Sequence, residues 1–135
     1  MATSLLPENA PVVLVIDNEP AIVEMLEILL EDDFNVATCL NSATALQQAT
    51  QLQPDLILMD LMMPAPNGVQ VLKSLRRTPT LAEVPVILMT AHSRFNACGL
   101  TESDLPTLNA TFVQKPFDNF ELLEMMKEMA NRDIR

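Results

Sequence analysis

Cysteine, basic residues and long apolar runs are scarce in this sequence of 135 residues, and each shortage excludes a class of protein. The two cysteines, Cys39 and Cys98, lack the spacing of a metal site, which argues against a disulfide scaffold or a zinc site and favours a reducing, cytoplasmic setting. No apolar run approaches the roughly 20 residues that span a bilayer. Residues 1–11 also lack the basic and apolar blocks of a signal peptide. We therefore expect a protein that is neither membrane-bound nor exported.

The charge of the chain is strongly acidic, with 18 Asp and Glu against 8 Lys and Arg. Such a surface repels the phosphates of nucleic acids and of anionic lipids. We therefore expect no direct nucleic-acid binding and no membrane partner. The hydrophobic share of 49% is enough for the core of one domain. We assign residues 11–135 to this domain and residues 1–10 to an N-terminal tail.

Short apolar runs alternate with longer segments of helical period, which is typical of a parallel sheet covered by helices. Pro20 is placed near the start of the first helix, Ser42 can cap the second, and Asp118 or Asn119 can cap the last. Residues 91–110 contain few periodic apolar positions, so any helix there should be short or weakly held. The predicted strands are residues 12–16, 35–40, 56–59, 86–89 and 111–114.

Polar residues stand where four of the predicted strands end. Asp17 follows the first strand and Asp60 the third. Thr90 follows the fourth strand, and Lys115 the fifth. Ligands of open parallel sheets bind at the carboxyl ends of the strands, near the point where the winding reverses. A strand order of 2-1-3-4-5 would bring these residues to one crevice, where two acids, a hydroxyl and an ammonium suit phosphoryl chemistry.

Four segments in this order resemble the motifs of response regulator receiver domains: VLVIDNEP (residues 13–20), LILMDLMMP (56–64), MTA (89–91) and QKPF (114–117). The resemblance covers residues 11–135. It implies an α/β, flavodoxin-like (βα)5 fold, a three-layer sandwich around a parallel five-stranded sheet in the order 2-1-3-4-5. It also implies a two-component phosphorelay function, in which a histidine kinase or histidine phosphotransfer protein phosphorylates Asp60 and a protein-interaction surface switches. The implied partners further include a downstream protein target. A second copy of the chain is also implied, in a homodimer formed through the face of the fourth helix, fifth strand and fifth helix.

The resemblance assigns the metal site to Asp17, Asp60 and the backbone carbonyl of Met62, with Mg²⁺ or Mn²⁺ as the ion. Mg²⁺ prefers oxygen ligands and usually takes only one or two protein carboxylates together with phosphate oxygens. A divalent cation and the ammonium of Lys115 would reduce the repulsion between the Asp60 carboxylate and a phosphoryl group. We expect a phosphoacceptor domain rather than an enzyme, with at most self-catalysed phosphotransfer and autodephosphorylation.

The remaining site residues are also implied by the resemblance. Thr90 and Lys115 match the phosphate contacts, and Thr90 with Phe112 matches the switch pair, although the family often has Tyr at the second position. On its own, Phe112 would be read as a core residue. Lys115-Pro116 matches a cis peptide of the family. His92, two residues past Thr90, either tunes the phosphate lifetime or is an exposed loop histidine.

Two features depart from the family. Asn18 stands where most members have a second acid, and an amide oxygen can ligate a metal but brings no charge. We therefore expect weak metal binding through Asn18. The next residue, Glu19, either reaches the metal and partly compensates for Asn18, or is an acid that the family often has at this position. The sequence leaves both possibilities open. The span from Thr90 to Lys115 is longer than usual, so the family's partners are not transferred to it.

Two other functions remain as alternatives. The first is a pseudo-receiver, an interaction module in which Asn18 has crippled metal binding and phosphorylation is weak or absent. The second is an enzyme of the haloacid dehalogenase type, which also uses an Asp nucleophile at a strand end. That type needs the pattern Asp-x-Asp, whereas this chain has Met62 two residues after Asp60, so the sequence disfavours it.

Overall fold

The computed structural model describes residues 9–90, 101 and 103–133. Within these residues the strands are β1 (Val12–Ile16), β2 (Asn35–Cys39), β3 (Leu56–Asp60), β4 (Val86–Thr90) and β5 (Ala110–Gln114). The helices are α1 (Pro20–Leu30), α2 (Ala45–Leu52), α3 (Gly68–Arg76), α4 (Asp104–Thr107) and α5 (Asn119–Asp133). All pairing is parallel, in the order β2-β1-β3-β4-β5. The predicted (βα)5 fold and strand order are confirmed.

Alternate side chains of the strands enter two separate cores, one on each face of the sheet. In β1, Leu14 and Ile16 pack with α2 and α3, whereas Val13 and Val15 pack with α1 and α5. Every residue of β3 and β4 is buried. Up to their last residues, Asp60 and Thr90, the central strands are continuous apolar runs, as expected where helices cover both faces of a parallel sheet.

The prediction that Ser42 caps the second helix is wrong. A 3-10 turn at Ser42–Thr44 precedes α2, and Asn41 caps that turn by accepting a hydrogen bond from the backbone N–H of Ala43 at 2.9 Å. The hydroxyl of Ser42 is buried and donates instead to the carbonyl of Pro64 at 3.1 Å. Asn and Ser are comparable caps, so the one whose side chain is free to reach the first turn takes the position.

The last two helices agree with the sequence prediction where they can be compared. α4 is a single turn of 4 residues, as the polar composition of this segment indicated. Residues 91–100 and 102, including His92 and Cys98, lie outside the described residues. α5 is capped by Asp118, whose Oδ1 accepts a bond from the N–H of Glu121 at 2.9 Å. No helix in the described ranges has both the length and the apolar character needed to cross a membrane.

The side chain of Arg76, at the end of α3, joins the segments that precede β4 and β5. Its guanidinium donates to the carbonyls of Leu108 at 2.7 Å, Leu81 at 2.9 Å and Val84 at 2.6 Å. A longer bond of 3.3 Å reaches the carbonyl of Asn109. Because these carbonyls lie at the amino ends of two strands, Arg76 fixes the end of the sheet opposite to the polar strand ends.

Replacing Arg76 tests this role. Arg76→Met keeps the aliphatic stem but leaves the partly buried carbonyls without their donor, so we expect the free energy of unfolding to fall by about 2–3 kcal/mol. Arg77→Met is the matched control, since Arg77 is exposed, and it should change stability by less than about 0.5 kcal/mol. Urea denaturation followed by circular dichroism measures both. Equal effects of the two substitutions would contradict the assigned role.

Candidate functional site

Four of the strand ends meet at one edge of the sheet. Asp60 and Thr90 are the last residues of the neighbouring strands β3 and β4, and both are buried. Asp17, fully buried, directly follows β1. Lys115 follows β5, and its backbone N–H donates to the carbonyl of Thr90 at 2.6 Å. The structure therefore brings together the four residues that the sequence placed at strand ends.

The side chain of Lys115 lies among three carboxylates. Its Nζ is 3.2 Å from Oδ2 of Asp17, 3.8 Å from Oδ1 of Asp60 and 4.0 Å from Oε1 of Glu19. Carboxylate oxygens of the three acids lie within 4.8 Å of one another. We call Asp17, Glu19, Asp60 and Lys115 the acidic pocket. Since one ammonium cannot neutralise three carboxylates, the pocket has a net negative charge and attracts a further cation.

The pKa of Asp60 is raised above its ordinary value, mainly because the carboxyl is buried. The charge of Asp17 raises this pKa further. The ammonium of Lys115 lowers it in part, as does the N–H of Met62, which donates to Oδ1 of Asp60 at 3.3 Å. A raised pKa in the folded state means that ionised Asp60 opposes folding. Its protonation stabilises the fold fully below the unfolded-state pKa, and this contribution is lost as the pH rises through the folded-state pKa.

The cost of ionising Asp60 gives a pH-dependent prediction. Asp60→Asn should raise the free energy of unfolding at pH 7.5, because the neutral amide avoids the cost of ionising a buried carboxyl beside Asp17. The gain should shrink as the pH falls toward the ordinary carboxyl pKa near 4, where the native side chain is protonated too. Urea denaturation in EDTA at several pH values measures it.

Asp32→Asn serves as the control, since Asp32 is exposed in the turn after α1. This substitution should change stability by less than about 0.5 kcal/mol at each pH. A loss of stability in Asp60→Asn at pH 7.5, or a gain that grows toward acidic pH, would show that ionised Asp60 does not oppose folding.

The backbone behind Asp60 is packed too tightly for any side chain at residue 68. A Cβ atom built on Gly68 would lie 2.7 Å from the carbonyl oxygen of Asp60 and 2.7 Å from the Cα of Leu61. The N–H of Gly68 donates to the carbonyl of Leu61 at 2.9 Å, and the N–H of Leu61 donates to the carbonyl of Met89 at 2.7 Å. Because Gly68 begins α3, this close approach fixes the helix against the end of β3.

The other predicted site residues lie around the pocket or beside it. Met62 follows Asp60 by two residues and is half-exposed. Phe112 stands opposite Leu88 of β4 and packs, partly buried, in the core that includes Leu105 of α4. The Lys115–Pro116 peptide bond is cis, as predicted. His92 lies outside the described residues.

The carboxylate of Glu19 lies in the pocket, with an oxygen within 4.8 Å of carboxylate oxygens of Asp17 and Asp60. Asn18 is exposed, and compensation by Glu19 stays a prediction. The signal in the sequence was the position of Pro20. Because a helix that begins at Pro20 makes Glu19 its N-cap residue, Glu19 stays close to the end of β1.

Comparison with known proteins gives a family match over most of the chain. A family model described as the response regulator receiver domain matches residues 13–127. The chain is 36% identical over 110 residues to "Probable transcriptional regulator ycf29" of Porphyra purpurea, a match that covers 79% of this chain and 50% of that protein. It is 33% identical over 129 residues to "DNA-binding dual master transcriptional regulator RpaA" of Synechocystis sp., covering 93% of this chain and 51% of that protein. The chain therefore spans about half the length of these curated relatives.

A solved structure with the same fold is the chemotaxis protein CheY4 of Vibrio cholerae. The TM-score is 0.77 at 24% sequence identity, and the match covers 88% of this chain and 98% of that one. At this identity the similarity shows the fold alone.

The expectation of no nucleic-acid binding is not supported by these relatives. The Synechocystis relative is named as DNA-binding, which does not fit that expectation, although the match covers only 51% of it. The acidic charge concerns the surface of this chain alone, so the expectation is not extended beyond it.

Proposed function

Since the chain belongs to the response regulator receiver domain family of two-component signalling, we propose that it is a phosphorylation switch in which Asp60 accepts a phosphoryl group. The acidic pocket supports this proposal most directly, because it places the Asp60 carboxylate 3.8 Å from the Lys115 ammonium and beside two further acids. The family is one of signalling domains, and we propose that catalysis is limited to self-catalysed phosphotransfer and autodephosphorylation.

The pocket residues have distinct roles in this proposal. The Asp60 carboxylate attacks phosphorus, and the histidine imidazole of the donor leaves. This attack brings two anionic groups together, so the Lys115 ammonium, already 3.2 Å from Asp17 and 3.8 Å from Asp60, reduces their repulsion. The Thr90 hydroxyl, at the end of the adjacent strand, donates a hydrogen bond to the new phosphate. Repulsion by the buried Asp17 carboxylate alone would oppose the reaction, which is why the pocket needs added positive charge.

The pocket fits the divalent cation that receiver domains typically bind. This proposal is supported by the carboxylates of Asp17, Glu19 and Asp60, whose oxygens lie within 4.8 Å of one another. Carboxylate oxygens, together with the backbone carbonyl of Met62, are the hard donors that Mg²⁺ prefers. Mg²⁺ or Mn²⁺, when bound, would neutralise charge on the carboxylates and on the phosphoryl oxygens.

We further propose that a histidine kinase or histidine phosphotransfer protein supplies the phosphoryl group, and that a downstream protein target reads the result. Thr90 and Phe112 form the proposed switch, because Phe112 lies in the core that also contains Leu105 of α4 and Leu108. A change at Thr90 would then alter the surface formed by α4, β5 and α5, through which a homodimer can also form. The proposed domain covers residues 11–135, and the setting is cytoplasmic.

Incubation with acetyl phosphate over a range of Mg²⁺ concentrations tests the proposed function. Intact-mass spectrometry should detect the gain of one phosphoryl group, which depends on Mg²⁺ because the carboxylates need a cation to admit a phosphoanion. Asp60→Asn should show no gain. We expect Asn18→Asp to lower the Mg²⁺ concentration at half-maximal modification by roughly tenfold, since a second acid adds ligand charge.

Two outcomes would count against this function. Modification that persists in Asp60→Asn would place the phosphoryl group on another residue. No mass gain at any Mg²⁺ concentration would favour the pseudo-receiver. The presence of Asn18 at the second acidic position is the observation that favours this alternative.

A further inference from the structure

We propose that Glu19 is a metal ligand in this chain and supplies the carboxylate that Asn18 cannot. This inference rests on the proposed function, because it concerns the divalent cation of that same pocket. The proposed ligand, Glu19, lies one residue further along the chain than Asn18, at the start of α1.

The first support is the position of the Glu19 carboxylate. One of its oxygens lies within 4.8 Å of carboxylate oxygens of both Asp17 and Asp60. The side chains of Asp17 and Asp60 are 0% and 7% exposed, whereas that of Glu19 is 63% exposed. Two carboxylates therefore approach from the sheet, and Glu19 closes the pocket from the solvent side.

The second support is the backbone that holds Glu19 there. Its N–H donates to Oδ1 of Asp17 at 3.0 Å, which ties the residue to the pocket. Glu19 is the N-cap residue of α1, but its carboxylate makes no capping hydrogen bond to that helix. An acid at an N-cap commonly accepts a bond from the first turn. Here the carboxylate is directed to the Lys115 ammonium, 4.0 Å away.

The third support is the charge balance of the pocket. Asp17 and Asp60 with Lys115 sum to a charge of −1, since two carboxylates meet one ammonium. Glu19 changes the sum to −2, which matches a divalent cation. Asn18 adds no charge, so Glu19 is the residue that restores the lost acid.

Binding of Mn²⁺ to the unphosphorylated protein tests the proposal without any phosphotransfer. The free Mn²⁺ signal in electron paramagnetic resonance gives the dissociation constant. Glu19→Gln should raise this constant about tenfold, because it removes both a ligand and a charge. Glu24→Gln is the matched control, since it makes the same change at an exposed acid of α1, and it should alter the constant less than about twofold.

Two further arms separate ligation from a general charge effect. The loss in Glu19→Gln should persist in 0.5 M KCl, where long-range attraction between charges is largely screened. In an Asn18→Asp background, Glu19→Gln should weaken Mn²⁺ binding by less than about threefold, because the restored acid takes over the role.

Several results would overturn the proposal. One is that Glu19→Gln and Glu24→Gln bind Mn²⁺ with the same dissociation constant. Another is that the weaker Mn²⁺ binding of Glu19→Gln returns to the native value in high salt. A third is that Glu19→Gln weakens Mn²⁺ binding equally in the native chain and in the Asn18→Asp background. If the native chain still gains a phosphoryl group on Asp60 with Mg²⁺, the proposed function stands and only the role of Glu19 fails. If the native chain binds no Mn²⁺ and gains no phosphoryl mass, both fail.

Discussion

One ammonium among three carboxylates, at the carboxyl end of a parallel sheet, is the interaction on which this site depends. A fully buried carboxylate such as Asp17 costs several kcal/mol unless a cation pairs with it, and Lys115 is 3.2 Å away. Asp60 is less well compensated, because burial and Asp17 together raise its pKa. The pocket therefore holds more negative charge than the fold alone would favour. In the proposed function, this excess attracts a divalent cation, and the cation in turn allows a phosphoryl group to approach.

The rest of the fold supplies the free energy that keeps these charges together. Two cores, one on each face of the sheet, bury the apolar residues of β3 and β4. Gly68 lets α3 begin directly against the backbone of Asp60, and Arg76 at the other end of α3 bonds the segments before β4 and β5. The helix thus spans the sheet from the pocket to the opposite edge. Its position restricts how far the end of β3 can move.

Much of this could be predicted from the sequence, because it follows from local patterns. Apolar runs gave the strands to within one residue at each end, and polar residues such as Asp60 and Thr90 after those runs indicated the site. The cap at Asn41 and the position of the Glu19 carboxylate could not be predicted in the same way. Each depends on which of two adjacent polar side chains reaches its partner, and that is decided by backbone direction in three dimensions. Long-range bonds such as those of Arg76 leave no periodic signal at all.

The pocket depends on a strong interaction between the side chains of Lys115 and Asp60. A double-mutant cycle on the free energy of unfolding, with Lys115→Met and Asp60→Asn in EDTA at pH 7.5, measures that interaction without any metal. We expect Lys115→Met to lower the free energy of unfolding more in the native chain than in the Asp60→Asn variant. The difference between these two effects is the coupling energy, which should be on the order of 1–2 kcal/mol. A coupling energy near zero would mean that the two side chains do not share one pocket in solution.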